Sequence, residues 1–175
     1  VSGPPPSLAR RAAAEAIGTA ALVAVVVGSG IQAAELTDDA GVRLLANSLA
    51  TVLGLGTLIA LLGPVSGAHF NPLVSLAAHL VGRRTGTGPR LRDVAGYAPA
   101  QVAGAVAGAV LADAMFARPP MALATTDRFA AHLWLGELVA TAGLVLLALG
   151  LDRVGRSHLA PAAVASYIGA SESRP

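Results

Sequence analysis

The chain has 175 residues, of which 54% are apolar and 13% charged, with a formal net charge of +2. So few charges cannot clothe an ordinary soluble surface. There is no cysteine, which excludes disulfides and thiolate metal sites, and all 12 basic residues are arginine, so their placement matters more than their sum.

Residues 1–11 are rich in Pro, Ala and Arg and read as a flexible tail. Arg10 and Arg11 then precede a long apolar run, roughly Ala12 to Ile31. A signal peptide would begin similarly, but further spans follow, so a retained first helix is expected. The next loop, Gln32 to Gly41, is acidic, with Glu35, Asp38 and Asp39. A second span covers Val42 to Leu62. The loop Val81 to Asp93 carries Arg83, Arg84, Arg90 and Arg92, and a third span runs from Val94 to Phe116. Beyond Pro119-Pro120 lie a fourth span, Ala131 to Leu151, and a shorter apolar run, Leu159 to Ala170. Short arginine-rich loops belong in the cytoplasm. A cytoplasmic N-terminus places Arg10, Arg11, Arg83, Arg84, Arg90, Arg92, Arg153 and Arg156 there, and the expectation is a multi-pass protein of the cell membrane.

The stretch from Gly63 to Leu73 departs from this pattern. Gly63, Pro64 and Gly67 predict a break in the helix, and Ser66, His69 and Asn71 add polar groups. Asn71-Pro72 reads as a helix start, with Asn as N-cap and Pro at the first helical position. The apolar segment Pro72 to Leu80 would span roughly 13 Å, under half of a ~30 Å hydrocarbon core. Gly82-Arg83-Arg84 follows, so the segment predicts a loop that enters the membrane and leaves again as a half-helix over residues 63–80. Irregular backbone at that depth is tolerated only inside protein or along a water-filled path. The half-helix brings partial positive charge to Asn71, whose carboxamide, held as a cap, keeps its NH₂ free to donate. Carbonyls of Gly67, Ala68, His69 and Phe70 can line the same path as acceptors. Such a lining admits neutral oxygen-bearing solutes and opposes cations and protons. An ordinary capped helix in a membrane bundle is the plainer alternative.

The string Ser66-Gly67-Ala68-His69-Phe70-Asn71-Pro72 resembles the first half-loop of the major intrinsic protein family, the aquaporins and aquaglyceroporins. Leu73 stands where the family's Asn-Pro-Ala signature has alanine. The resemblance extends from residue 12 to about 170. It implies an all-α, aquaporin-like inverted-repeat bundle, with residues 12–116 as the first repeat and 131–170 as an incomplete second one. Glu15-Ala16-Ile17-Gly18-Thr19 is echoed by Glu137-Leu138-Val139-Ala140-Thr141, as such a repeat requires. Both acids lie within apolar helices, where a charge normally implies a partner. The resemblance implies that Glu15 braces the first half-loop and Glu137 a second one. A carboxyl reaching interfacial water is the alternative. Gln101, among the small residues Ala100, Gly104 and Gly108, resembles a family glutamine and is expected to bond another helix or a loop. Counting twenty positions back from Asn71 gives Thr51, the family's filter position on the second span. Its hydroxyl would favour small polyols or neutral metalloid hydroxides, unless it bonds within its own helix.

A second Asn-Pro half-loop does not follow, and residues 171–175, Ser-Glu-Ser-Arg-Pro, break abruptly from the apolar run. The sequence therefore reads as C-terminally truncated or as carrying a change of reading frame. The functional expectation is passive transport of water or small uncharged solutes, impaired if the second half-loop is absent. The alternatives are a non-conducting membrane fragment that associates with complete subunits, and half of a secondary transporter with a broken helix. The resemblance further implies a homo-tetramer in the lipid bilayer. Without metal-ligand spacing or a nucleophile–base pair, no cofactor, no metal, no enzymatic activity and no nucleic-acid partner are expected.

Overall fold

The computed structural model describes residues 6–86, 88–119 and 131–172. Six α-helices follow one another: α1 (Leu8–Leu36), α2 (Ala40–Ser66), α3 (Pro72–Thr85), α4 (Leu91–Met115), α5 (Ala131–Arg153) and α6 (Ala160–Glu172), with a 3₁₀ turn at Ser157–Leu159 before α6. The described residues contain no strand. By length and composition, α1, α2 and α4 are long and apolar enough to cross a membrane. In α5 the described apolar stretch is Leu138–Ala148.

Burial departs from that of a water-soluble protein: beside an apolar cluster, the interior holds many polar groups, and large apolar side chains cover the outside. Glu15, Thr19, Ser48, Thr51, Ser75, Asp93 and Gln101 are buried, whereas Leu49, Leu53, Val102, Val106 and Leu138 face outwards. Polar groups inside and large apolar side chains outside suit lipid as the surrounding solvent. The fold is an all-helical membrane bundle.

Several boundaries differ from the sequence reading. Ser7 caps α1, its side chain accepting from the amide of Arg10, so residues 8–11 are helical and no longer part of a tail. Helix α2 does not break at Gly63 or Pro64; it continues to Ser66. Pro64 sits in its last turn, where one missing amide costs little, and Gly67 ends the helix at φ 98° with its N–H on the Gly63 carbonyl. Helix α3 passes Leu80 to Thr85, because Gly86 at φ 72° can cap it there. Its 14 residues still span only about 21 Å, short of a hydrocarbon core. Helix α6 carries the chain past Ala170 to Glu172, so residues 171 and 172 continue a helix. Pro120 and residues 173–175 lie outside the described residues.

The α1–α4 pair is the tightest contact. A Cβ at Gly104 would overlap the carbonyl of Ala16, and one at Gly108 that of Ala20. Small residues here let two backbones touch. A second contact joins α2 to α6, where Gly56 lies against Pro161 and Ala165. Apolar packing around Leu55, Ala68, Phe70 and Ala165 then ties α2, the loop and α6 together.

Because a backbone carbonyl cannot swing aside, Gly104→Leu is expected to force α4 from α1 at a cost of about 1–3 kcal/mol or more. The exposed Ala103→Leu is the control. Thermal unfolding in detergent should show a clear loss for Gly104→Leu alone; equal melting of the two variants would contradict the packing described.

Candidate functional site

Residues 67–71 join α2 to α3 without regular structure. Three of them adopt left-handed backbone: Gly67 at φ 98°, Ala68 at 52° and Phe70 at 52°. For Ala and Phe this costs of order 1–3 kcal/mol each, so the surroundings must impose it. The loop also leaves main-chain amides without helical partners.

Glu15 supplies the acceptors. Its Oε1 accepts from the His69 amide at 3.1 Å and its Oε2 from the Phe70 amide at 2.7 Å. Gln101 Nε2 donates to the same Oε2 at 2.7 Å and to Ser75 Oγ at 3.0 Å. Glu15 is 0% exposed and Gln101 1%. Ser75 Oγ, which accepts from Gln101, also shares a hydrogen bond with His69 Nδ1, 3.1 Å away, whose direction follows the imidazole tautomer. Ser66 Oγ accepts from the Ala68 amide at 3.1 Å, and the Ser66 carbonyl accepts from Tyr97 Oη at 2.9 Å. Tyr97 meets the His69 ring edge-on at 5.9 Å, and Arg11 lies 5.9 Å from the Tyr97 ring centre while pairing with Asp93 at 2.9 Å. The Phe70 ring covers Gly18, where any Cβ would overlap it.

These contacts fix the depth of the loop. Glu15 lies roughly 10 Å along α1 from its start, and Gln101 roughly 15 Å along α4. Both helices start at the arginine-bearing end, where Arg11 meets Asp93. The loop is therefore held roughly 10–15 Å in from the end of the bundle where Arg11 meets Asp93.

Asn71 is the exposed end of this framework. Its Oδ1 accepts from the Leu73 amide at 2.8 Å, as a cap does, and its carboxamide NH₂ makes no hydrogen bond among the described residues. Pro72 occupies the first turn of α3, and Leu73 is 52% exposed beside it. Thr51 is 2% exposed on α2, its Oγ1 within 3.4 Å of Asn47 Oδ1, while Asn47 Nδ2 donates to the Val26 carbonyl on α1 at 3.0 Å. The Thr51 bond is thus long, and its partner is a side chain of its own helix. Glu137 lies on α5, but its side chain falls outside the described set. No group of three or more His, Asp or Glu suited to a metal occurs among the described residues.

The structure brings Glu15, Gln101, Gly67, Ala68, His69, Phe70 and Asn71 together, and holds Thr51 apart on α2. It adds Ser75, Tyr97 and Gly18, which sequence reasoning missed. A signal for two of them was present. Asp93, Tyr97 and Gln101 recur every fourth residue on one face of α4, and Ser75 follows Asn71 by one turn.

Replacing Glu15 by Leu would strand the His69 and Phe70 amides, at about 1–3 kcal/mol for each buried donor. Loop opening should increase by at least tenfold, read as broad-specificity protease cleavage near Gly67 in detergent. Arg10→Ala, on the exposed side of α1, should leave cleavage unchanged. Equal cleavage in Glu15→Leu and the parent would rule out the bracing role.

Comparison with known proteins identifies the family. The family profile described as Major intrinsic protein matches residues 5–172. Aquaglyceroporin AqpS of Rhizobium meliloti (strain 1021) is 49% identical over 164 residues, covering 94% of this chain and 68% of that protein. Aquaporin Z of Brucella melitensis is 39% identical over 98 residues, covering 56% of this chain and 40% of its own length. Human Aquaporin-2 is 50% identical over 64 residues, covering 37% and 22%. A match along nearly the whole of an all-helical membrane bundle places this chain in the major intrinsic protein family.

Proposed function

We propose that the chain forms part of a membrane channel for water or small uncharged solutes, with residues 67–71 lining its path. The supporting observation is the state of Asn71. Its oxygen is tied to the Leu73 amide, its NH₂ has no partner among the described residues, and it stands at the N-terminus of α3. A fixed donor beside a positive helix end attracts oxygen lone pairs and opposes cations. The left-handed residues Gly67, Ala68 and Phe70 hold the intervening backbone in a non-helical course, so its carbonyls are not spent on a helix. Pro72, Leu73, Glu15 and Gln101 position this lining, and the internal repeat gives Glu137 the matching role for a second half-loop.

Thr51 sets solute preference in this reading. It is small and polar, and although it is 2% exposed on α2 its hydroxyl is held only by a 3.4 Å contact, so a turn of the side chain would bring it to the path. A wall of this kind is wider and more polar than an aromatic one, which favours glycerol-sized polyols or neutral metalloid hydroxides over water alone. The relative named an aquaglyceroporin fits that preference. The arginine-bearing loops put the N-terminus in the cytoplasm of a plasma-membrane protein. Assembly as a homo-tetramer is proposed from the family alone.

Because the chain spans 68% of the length of AqpS, the test joins it to the remaining part of that relative. In proteoliposomes, Thr51→Phe should cut glycerol uptake far more than water uptake. A proportional loss of both, or no change, would remove Thr51 from the filter.

Asn71→Asp in the same assembly should reduce permeation more than Asn71→Gln, since the carboxylate replaces the free donor and adds charge to a dehydrated path. Parent-like flux through the Asp variant would refute the role given to Asn71. For orientation, reporters fused at Gly86 and at Asp38 should report opposite sides of the membrane, with Gly86 cytoplasmic; both on one side would overturn the topology.

A further inference from the structure

The connection between α3 and α4 builds a second feature, away from the loop and independent of the channel reading. Gly88 lies directly on the last turns of α3. A Cβ at Gly82 would overlap the Gly88 main chain, and one at Gly88 would overlap the Ala78 carbonyl. His79 Nδ1 donates to the Pro89 carbonyl at 2.8 Å, pinning the end of the same connection. Among the described residues, Arg83, in the last turn of α3, and Arg90, just before α4, line one open surface depression of about 290 Å³. At about 30 Å³ per water molecule, this space holds a tetrahedral anion with part of its hydration.

The charge of the depression is one-sided. Among the described residues, neither Arg83 nor Arg90 forms a salt bridge. The neighbouring carboxylate, Asp93, is already engaged by Arg11 at 2.9 Å and by the Arg90 amide at 3.0 Å. Arg92 stands 3.8 Å from the same carboxylate, which adds positive charge rather than removing it. The depression lies at the end of the bundle where α1 and α4 begin, so it faces the boundary between hydrocarbon and water. Guanidinium groups match phosphate oxygens in shape and charge, and phosphodiesters are the abundant tetrahedral anions at that boundary.

We propose that this depression binds a phosphate group, carried by an anionic lipid headgroup or free in solution. The glycine contacts and the His79 bond prepare the depression, and Arg83 and Arg90 hold the anion from opposite ends of the connection.

The purified chain in neutral detergent is titrated with short-chain phosphatidylglycerol and with phosphatidylcholine of the same chain length, with bound lipid counted by native mass spectrometry. Each arginine near an anionic group is expected to contribute about a factor of five. Arg83→Gln and Arg90→Gln should therefore each weaken phosphatidylglycerol binding by roughly fivefold, and the pair by roughly thirtyfold. Both side chains are exposed, so these changes leave the packed interior alone. Arg83→Lys with Arg90→Lys should retain most of the binding, as should Arg153→Gln with Arg156→Gln, which removes the same charge elsewhere. In the parent chain, raised salt should weaken phosphatidylglycerol binding and leave phosphatidylcholine unaffected. Competition by millimolar inorganic phosphate would identify a site that also takes free phosphate; no competition would identify the lipid headgroup as the source. The proposal fails if the parent binds both lipids equally, if the glutamine pair binds like the parent, or if Arg153→Gln with Arg156→Gln causes the same loss.

Discussion

Two adjacent amide hydrogens, those of His69 and Phe70, have to be satisfied far from water. Glu15, Gln101 and Ser75 are arranged around that requirement. A carboxylate is the one side chain that can accept from both amides and from a further donor, because it has two oxygens and no hydrogen. Glu15 does this, and Gln101 uses its amide hydrogens to hold Glu15 and Ser75 together. Such a network is worth most when complete, since the low local dielectric that strengthens each bond also raises the cost of an orphan. The Gln101 Oε1 atom is one such orphan, buried without a partner among the described residues.

The network in turn depends on backbone packing. Gly104 and Gly108 seat α4 against the Ala16 and Ala20 carbonyls, which fixes both the separation and the rotation of the two helices. Glu15 and Gln101 then face each other without any side chain having to stretch. Tyr97 adds a second hold on the loop from the same helix, and its own position is set by Arg11 and Asp93 near the ends of α1 and α4. One face of α4, read from Asp93 through Tyr97 and Gln101 to Gly104 and Gly108, is thus polar at one end and bare backbone at the other.

Much of this was legible in the sequence, for identifiable reasons. Long apolar runs fix the helices, and Asn71-Pro72 fixes the start of α3, because caps and proline act locally. The buried acid was legible because a carboxyl in an apolar helix demands a partner. The end of α2 was misjudged: Pro64 costs one hydrogen bond, and tertiary contacts on both sides of it outweigh that. The end of α3 was misjudged because Gly86, not Leu80, offers the left-handed turn that stops a helix. Tyr97 and Ser75 were missed although their four-residue spacing from Gln101 and Asn71 was visible. Attention to single polar residues hides a stripe that shows only when they are read together.

The long sequence separation within the network bears on how the chain assembles. Glu15 lies 54 and 55 residues before the amides it accepts from, and 86 before Gln101. During synthesis α1 emerges with a carboxyl and none of its partners. A single acid costs up to about 2.5–3.5 kcal/mol on insertion scales, the value at a helix centre, and Glu15 lies nearer the start of α1, so the apolar length of α1 outweighs it. The helix therefore enters the bilayer with one unmet demand, and that demand is met only when the α2–α3 loop is drawn in from the surface. In this order of events the carboxyl acts as a nucleus: the segment least able to enter lipid alone is recruited by the helix already there, and α4 closes over both.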